Sequence, residues 1–269
     1  MDFRLTEQQR ELQDAARQFA RRELPDLARK MEEKDFSVPA EMVRRYGEMG
    51  FLGVNLPEQY GGLGLGHLEA LLVLEQFAQV SNAVAFPVFE ALVGPVRTIE
   101  RFGSDDLKTR IIPAVVSGEA TVAISMSEPD AGTALTDLAT RAREDGDHYL
   151  LEGSKRWTSG AGHARYYVVY CRLSDAPGAK GVGALLVDKD MPGVGFGKRE
   201  ELMGFRGIET RDIAFDGVRV PADNLVGGEG EGFRIAMMGL DGGRLNIGAC
   251  SLGGAQRCID EAVAYSKER

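Results

Sequence analysis

Cysteine, histidine and tryptophan are scarce in this chain: 3, 3 and 1 in 269 residues. Cys171, Cys250 and Cys258 are odd in number and form no Cys-x-x-Cys pair. Neither a disulfide framework nor a zinc knuckle is therefore indicated, and no metal site is expected. His67, His148 and His163 lie far apart and read as surface or core residues, not as a catalytic set. Gly-x-Ser-x-Gly, His-Glu-x-x-His and a phosphate-loop Gly-Lys-Ser/Thr are all absent, so three common kinds of site lack their signature. No run approaches the roughly 18 unbroken apolar residues of a membrane span. The polar, mixed-charge start has no apolar signal core, and its acids argue against a transit peptide, so a cytoplasmic location is expected. Basic residues are outnumbered, 32 against 41, for a net charge of −9. An acidic surface repels phosphate backbones, which argues against nucleic acid as a partner. What is present is ordinary for a globular protein: 43% hydrophobic and 27% charged residues.

The first 120 residues read as helices. Thr6 and Gln9 form a capping box, and Leu12, Ala15, Ala16, Phe19 and Ala20 follow at helical spacing. Pro25 permits a kink or an end. Ser37 is expected to cap a second helix with Pro39 in its first turn. A third, over 67–81, is apolar almost all round, which predicts burial among other helices. A fourth is predicted over 86–102, and a fifth after Ser104. Near Thr121 the rhythm changes to short segments separated by turn pairs such as Asp145-Gly146 and Asp216-Gly217. The predicted strands are 122–127, 139–144, 148–159, 165–173, 183–188, 196–202 and 210–220. Few helices of useful length fit between them, which argues for an antiparallel barrel or sandwich. Helix returns over 233–240 and again over 244–269, with Asp241-Gly-Gly243 as the expected break. On the last helix Cys250, Leu252, Ala255, Ile259, Ala262, Val263 and Ser266 form a mostly apolar stripe without a downstream partner. The expectation is that another chain covers it or that the given sequence is a piece of a longer one. The expected fold class is α+β multidomain: helical 1–120, central antiparallel β-barrel 121–228, and the beginning of an incomplete helical domain over 229–269.

Three segments carry candidate chemistry. Ser127-Glu-Pro-Asp-Ala-Gly-Thr133 reads first as a turn, and second as a loop offering hydroxyls and N–H groups to a ligand. Lys155-Arg-Trp-Thr-Ser159 sets the lone Trp157 beside Thr158 and Ser159. A lone tryptophan is usually core or interface, but flanking hydroxyls suit an indole stacked on a flat heterocycle. Asp241 and Arg244 read as a surface pair of little energetic weight, or as groups for a ligand amine or hydroxyl and a phosphate. Gly61–Gly66 follows no strand, which rejects a dinucleotide fingerprint.

Taken together, six segments in register resemble the acyl-CoA dehydrogenases. They are Leu56-Pro-Glu-Gln-Tyr-Gly-Gly-Leu-Gly64, Phe102-Gly-Ser, Pro113 with Ser117-Gly-Glu119, Ser127-Glu-Pro-Asp-Ala-Gly132, Gly153-Ser-Lys-Arg-Trp157 and Val220-Pro-Ala-Asp-Asn-Leu-Val-Gly227. The stretch Gly239-Leu-Asp-Gly-Gly-Arg-Leu-Asn-Ile-Gly-Ala-Cys-Ser-Leu-Gly253 is most similar to the isobutyryl-CoA branch. The resemblance implies FAD as cofactor and α,β-dehydrogenation of a short, branched acyl-CoA thioester. Ile124, Met126 and Ser127 then match the flavin-binding strand and loop, with Ser127 where the family has a hydroxyl bonding the ring. Trp157, Thr158 and Ser159 match a triplet whose last hydroxyl bonds the reactive flavin nitrogen. Thr133 matches a serine contacting the CoA moiety, and Asp241 and Arg244 match substrate-side residues. Arg269 matches an arginine reaching the FAD pyrophosphate of a neighbouring subunit, which implies a homo-oligomer, typically a tetramer. Asp130 (often Gly) and Ala134 (often Asp) depart from the pattern. The electron acceptor implied is an electron-transferring flavoprotein.

The resemblance leaves the base unfilled. Most members carry a base Glu on a late bundle helix, which is expected beyond Arg269; a minority carry it at the position of Gly243. No carboxylate of this sequence matches either, so the catalytic base is expected outside the given chain. Two alternatives stand beside the dehydrogenase: an acyl-CoA oxidase, and a non-catalytic FAD- or acyl-CoA-binding subunit completed by another chain.

Overall fold

The computed structural model describes residues 3–269. Seven helices come first. α1 (Glu7–Glu23) opens on the predicted box: the Gln9 N–H donates to Thr6 Oγ1 at 3.2 Å, and the Thr6 N–H to Gln9 Oε1 at 2.9 Å. α1 ends just before Pro25, one of the two outcomes that residue permits, and Pro25 starts α2 (Pro25–Lys34), where a missing N–H is no loss. α3 (Ala40–Glu48) has Pro39 at its N-cap and no side-chain cap, so the expected role of Ser37 is not found. Ser37 lies too far upstream to reach the free N–H groups of that first turn. α4 (His67–Ala78) is buried on most faces, as its composition requires.

The helix predicted over 86–102 is two. α5 (Asn82–Leu92) starts four residues earlier, with the Ser81 hydroxyl accepting from the Ala83 N–H. The chain then breaks at Gly94, and Pro95 begins α6 (Pro95–Phe102). α7 (Asp105–Val116) is capped by Ser104, whose hydroxyl accepts from the Leu107 N–H at 3.2 Å.

All seven predicted strands are present: β1 (Val122–Ser125), β2 (Arg141–Asp145), β3 (His148–Ser159), β4 (Tyr166–Arg172), β5 (Val182–Asp188), β6 (Val194–Arg199) and β7 (Thr210–Pro221). They form one curled, open sheet in the order β1-β4-β2-β3-β7-β6, with β5 also on β4. Contrary to the antiparallel arrangement expected from the turn spacing, the sheet is mixed: β1 and the first residue of β2, Arg141, both run parallel to β4. β1 arrives from the helices in the same direction as β4, and the intervening β2–β3 hairpin reverses the chain twice. β4 and β5 are buried on both faces, and their alternation divides two cores. Val168, Tyr170, Ala184 and Leu186 pack with the helices. Tyr167, Val169, Cys171, Leu185 and Val187 form a second core on the other face of the sheet.

α8 (Gly232–Glu268) closes the chain as a single 37-residue helix. The expected break at Asp241-Gly-Gly243 does not occur. Glycine costs ~1 kcal/mol in a helix interior, and here packing on α4, α5 and α6 outweighs it. Gly253 permits the closest approach: a Cβ there would lie 2.5 Å from the Glu75 carbonyl oxygen. Leu252, just before it, and Ile259 and Val263, beyond it, are exposed. Among the described residues no helix is long and apolar enough to cross a membrane.

Candidate active site

α5, β1, the end of β3 and α8 surround a cleft of about 410 Å³. Six of the residues predicted from sequence line it: Ile124, Met126, Ser127, Trp157, Thr158 and Ser159. They come from segments 30 residues apart, joined because β1 and β3 both lead to the same rim.

Local geometry turns the three residues at the end of β3 in different directions. The β3–β7 register slips between Lys155 and Thr158, and Trp157 takes a positive φ of 54°. For a bulky residue this backbone is strained, a feature that concentrates at functional sites. The Trp157 N–H donates to Asp212 Oδ1 at 3.3 Å, and the Arg156 guanidinium lies 4.9 Å over the indole. The ring is thus held 57% exposed at the mouth of the cleft. Thr158 points inward instead, its hydroxyl 2.9 Å from that of Ser125. Ser159 turns out again. The hydroxyls of Ser127 and Ser159 make no hydrogen bond among the described residues, so both are free to meet a ligand edge.

A buried ion pair fixes this arrangement. Lys155 Nζ donates to Glu128 Oε1 at 2.7 Å and to the Met126 carbonyl at 3.0 Å. Glu128 also accepts from the N–H groups of Ala139 and Thr140. Burial pushes the Glu128 carboxyl up, but the Lys155 charge and these hydrogen bonds outweigh it and hold it below the usual range. The loop carrying Ser127 is thereby tied to β3 next to Trp157.

The other predicted residues do not reach the cleft. Thr133 is exposed, on a loop with exposed Asp130 and Ala134. Arg244 Nη1 donates to Asp241 Oδ1 at 2.7 Å in an exposed pair. Asp241 borders a second cavity of about 290 Å³ with His67, Arg97 and Arg101. Gly239 borders both cavities. Arg269 lies at the end of α8, about 39 Å along the helix from Gly243 at 1.5 Å per residue. Within one chain it is remote from the cleft.

Sequence reading missed much of the wall. Phe86, Phe89 and Glu90 on α5, Gly94 and Pro95 after it, Phe205, and Leu240 and Ile247 on α8 were not singled out, whereas Gly243, matched to the minority base position, also lines the cleft. One signal was available: Glu90 is the only charged residue of α5. The cleft therefore offers an exposed indole, two free hydroxyls and apolar walls, which suit a flat ring with hydrogen-bonding edges beside an apolar chain.

Sequence comparison matches the Acyl-CoA dehydrogenase N-terminal domain over residues 6–119, the middle domain over 123–218 and the C-terminal domain over 230–269. The chain belongs to the acyl-CoA dehydrogenase family. It is 40% identical over 267 residues to the mitochondrial isobutyryl-CoA dehydrogenase of Dictyostelium discoideum, covering 98% of this chain and 63% of that protein. Its fold superposes on butyryl-CoA dehydrogenase from Megasphaera elsdenii with a TM-score of 0.94 at 32% identity, covering 100% of this chain and 71% of that one. The FAD complex of PigA gives a TM-score of 0.94 at 26% identity, covering 100% and 70%. The chain thus spans less than two thirds of the Dictyostelium relative.

Proposed function

We propose that this chain forms the flavin-holding part of an acyl-CoA dehydrogenase acting on short, branched acyl-CoA thioesters. The observation that carries this is the cleft, where Trp157 and the free hydroxyls of Ser127 and Ser159 converge. Family membership and the FAD complex of a structural neighbour support FAD as the ring that fits there. FAD, when bound, supplies the acceptor for the β-hydride. The chain's own residues orient and exclude water. Trp157 gives a stacking face, Ser127 and Ser159 hydrogen-bond the ring edge, and Ile124 and Met126 supply apolar contact. Thr158 positions its neighbours through Ser125 and does not touch the ring.

Asp241 and Arg244 are proposed for the substrate side and Thr133 for the CoA moiety. Arg269 is proposed to act on a neighbouring subunit's cofactor, within a homotetramer that passes electrons to an electron-transferring flavoprotein. Preference for a short branched chain rests on the likeness to isobutyryl-CoA dehydrogenase. α-Proton removal requires a general base, and the family resemblance implies that it is a carboxylate. Glu90 is the only acidic side chain lining the cleft among the described residues, and Gly243, at the minority base position, also lines it. That favours a second reading in which this chain binds FAD and thioester and the base comes from elsewhere.

One experiment separates these readings. Purified protein is assayed for FAD released on denaturation, then for reduction of bound flavin by isobutyryl-CoA. Yellow protein reduced by the thioester supports the dehydrogenase. Yellow protein that binds the thioester without reduction supports the binding reading. Protein that takes up no flavin overturns both.

A further inference from the structure

α6 and the start of α4 enclose the second cavity, of about 290 Å³, against α8. Met238, Gly242 and Leu245 line it, whereas Leu240, Gly243 and Ile247 line the candidate active-site cleft. At 3.6 residues per turn these two sets fall on opposite flanks of α8. Gly239 is the one residue that borders both, so the cavity is a compartment of its own.

Its polar lining is mostly cationic. Arg97 and Arg101 stand one turn apart on α6, and both reach the cavity. Arg97 is partly committed: Nη1 donates to the Asn55 carbonyl at 2.7 Å and lies 3.3 Å from Glu100 Oε2. Arg101 makes no hydrogen bond or ion pair among the described residues. The one acid lining the cavity, Asp241, is engaged by Arg244 at 2.7 Å. This local excess of positive charge runs against the net charge of −9 and draws anions.

His67 adds a third group. It is the first residue of α4, it lines the cavity, and its buried Nε2 has no hydrogen-bond partner among the described residues. Burial first, and then the charges of Arg97 and Arg101, hold its imidazole below the usual range. The N-cap of α4, Gly66, offers no side chain to the free N–H groups of that turn. Glu69, the acid of the turn, is engaged by Gln9 of α1, whose Nε2 donates to it at 2.7 Å. Two guanidinium groups, an unpartnered ring nitrogen and an uncapped helix start thus border one space, and a single tetrahedral oxyanion satisfies them together.

We propose that this cavity binds a phosphate group, free or as a small phosphomonoester, through Arg97, Arg101 and His67, apart from the cleft assigned to flavin and thioester. Guanidinium N–H groups meet phosphate oxygens in pairs, and His67 Nε2, once protonated, donates to another oxygen. Val93, Phe102, Met238 and Leu245 leave an apolar wall for an organic group on the phosphate. The inference does not rest on the acyl-CoA reading.

The test follows the ring signals of the three histidines by NMR as inorganic phosphate is added to the purified protein. His67→Gln identifies the His67 signal. That signal should shift saturably at millimolar phosphate, and its titration midpoint should rise, because a bound anion offsets the arginine charges. Sodium chloride at equal ionic strength should leave it in place. Arg101→Gln, at an exposed position, should fold and weaken phosphate about tenfold, the loss expected for a hydrogen bond to a charged group. Glycerol 3-phosphate binding tighter than phosphate supports a monoester as the occupant; weaker binding supports free phosphate. No saturable shift, a shift that chloride reproduces, or unchanged affinity in Arg101→Gln overturns the proposal. So does displacement of phosphate by CoA and not by dephospho-CoA, which would make the 3′-phosphate of the thioester the occupant.

Discussion

Lys155 and Glu128 meet at 2.7 Å with side chains 0% and 4% exposed, and their contact joins β3 to the loop leaving β1. Removing one partner of such a pair strands the other charge, at a cost of about 3–5 kcal/mol. Lys155→Met and Glu128→Gln should each lower the denaturant midpoint and loosen FAD. The double variant Lys155→Met/Glu128→Gln should be less destabilised than the sum of the two single changes. A double variant as unstable as the sum of the two would contradict coupling.

The same pair sets an acid limit. The Glu128 carboxyl is lowered in the fold, so its contribution is complete above its unfolded value and is lost as pH falls through the folded one. The stability gap between unmodified protein and Glu128→Gln should be constant near neutral pH and shrink below about pH 4, the usual glutamate range. Urea titrations at several pH values measure it; a gap that widens with acid would refute the assignment.

Trp157 is the only tryptophan, so its emission reports on this site alone. Adding FAD to flavin-free protein should quench that emission, and Trp157→Ala should weaken FAD binding by about fivefold, from loss of a stacking contact worth ~1 kcal/mol. Emission unchanged at full FAD occupancy would remove Trp157 from the ring.

Gly243 faces the cleft, and a Cβ built there meets nothing within 4 Å. Gly243→Glu should therefore be tolerated and should present a carboxylate to a bound thioester. Exchange of α-protons of isobutyryl-CoA with deuterated solvent, followed by NMR, should rise by about 10² or more, the usual range for a general base. No change in a folded, flavin-loaded variant would mean that the side chain cannot reach the α-carbon.

Arg244 and Asp241 form an exposed pair, so its loss should hardly alter stability. Arg244→Ala should instead raise KM or lower kcat for isobutyryl-CoA, through poorer alignment of the thioester. A variant with unchanged kinetics would return the pair to an ordinary surface contact.

Local sequence determined the elements whose signals are short-range. The Thr6–Gln9 box, the helix start after Ser104 and the turn pairs between strands each act within a few residues, and each is found where the sequence placed it. The motif residues Ser127, Trp157 and Ser159 were legible for the same reason: they sit on contiguous segments of distinctive composition. Tertiary structure decided what depends on distant partners. α8 runs unbroken through Asp241-Gly-Gly243 because contacts with α4, α5 and α6 outweigh glycine's cost. β1 and β2 are parallel to β4 because pairing is chosen across the sheet, not within a hairpin. Thr158 turns inward because Ser125, 33 residues earlier, is there to meet its hydroxyl. Glu90 becomes part of a cleft only because β1, β3 and α8 close around α5, and no window of sequence contains all four.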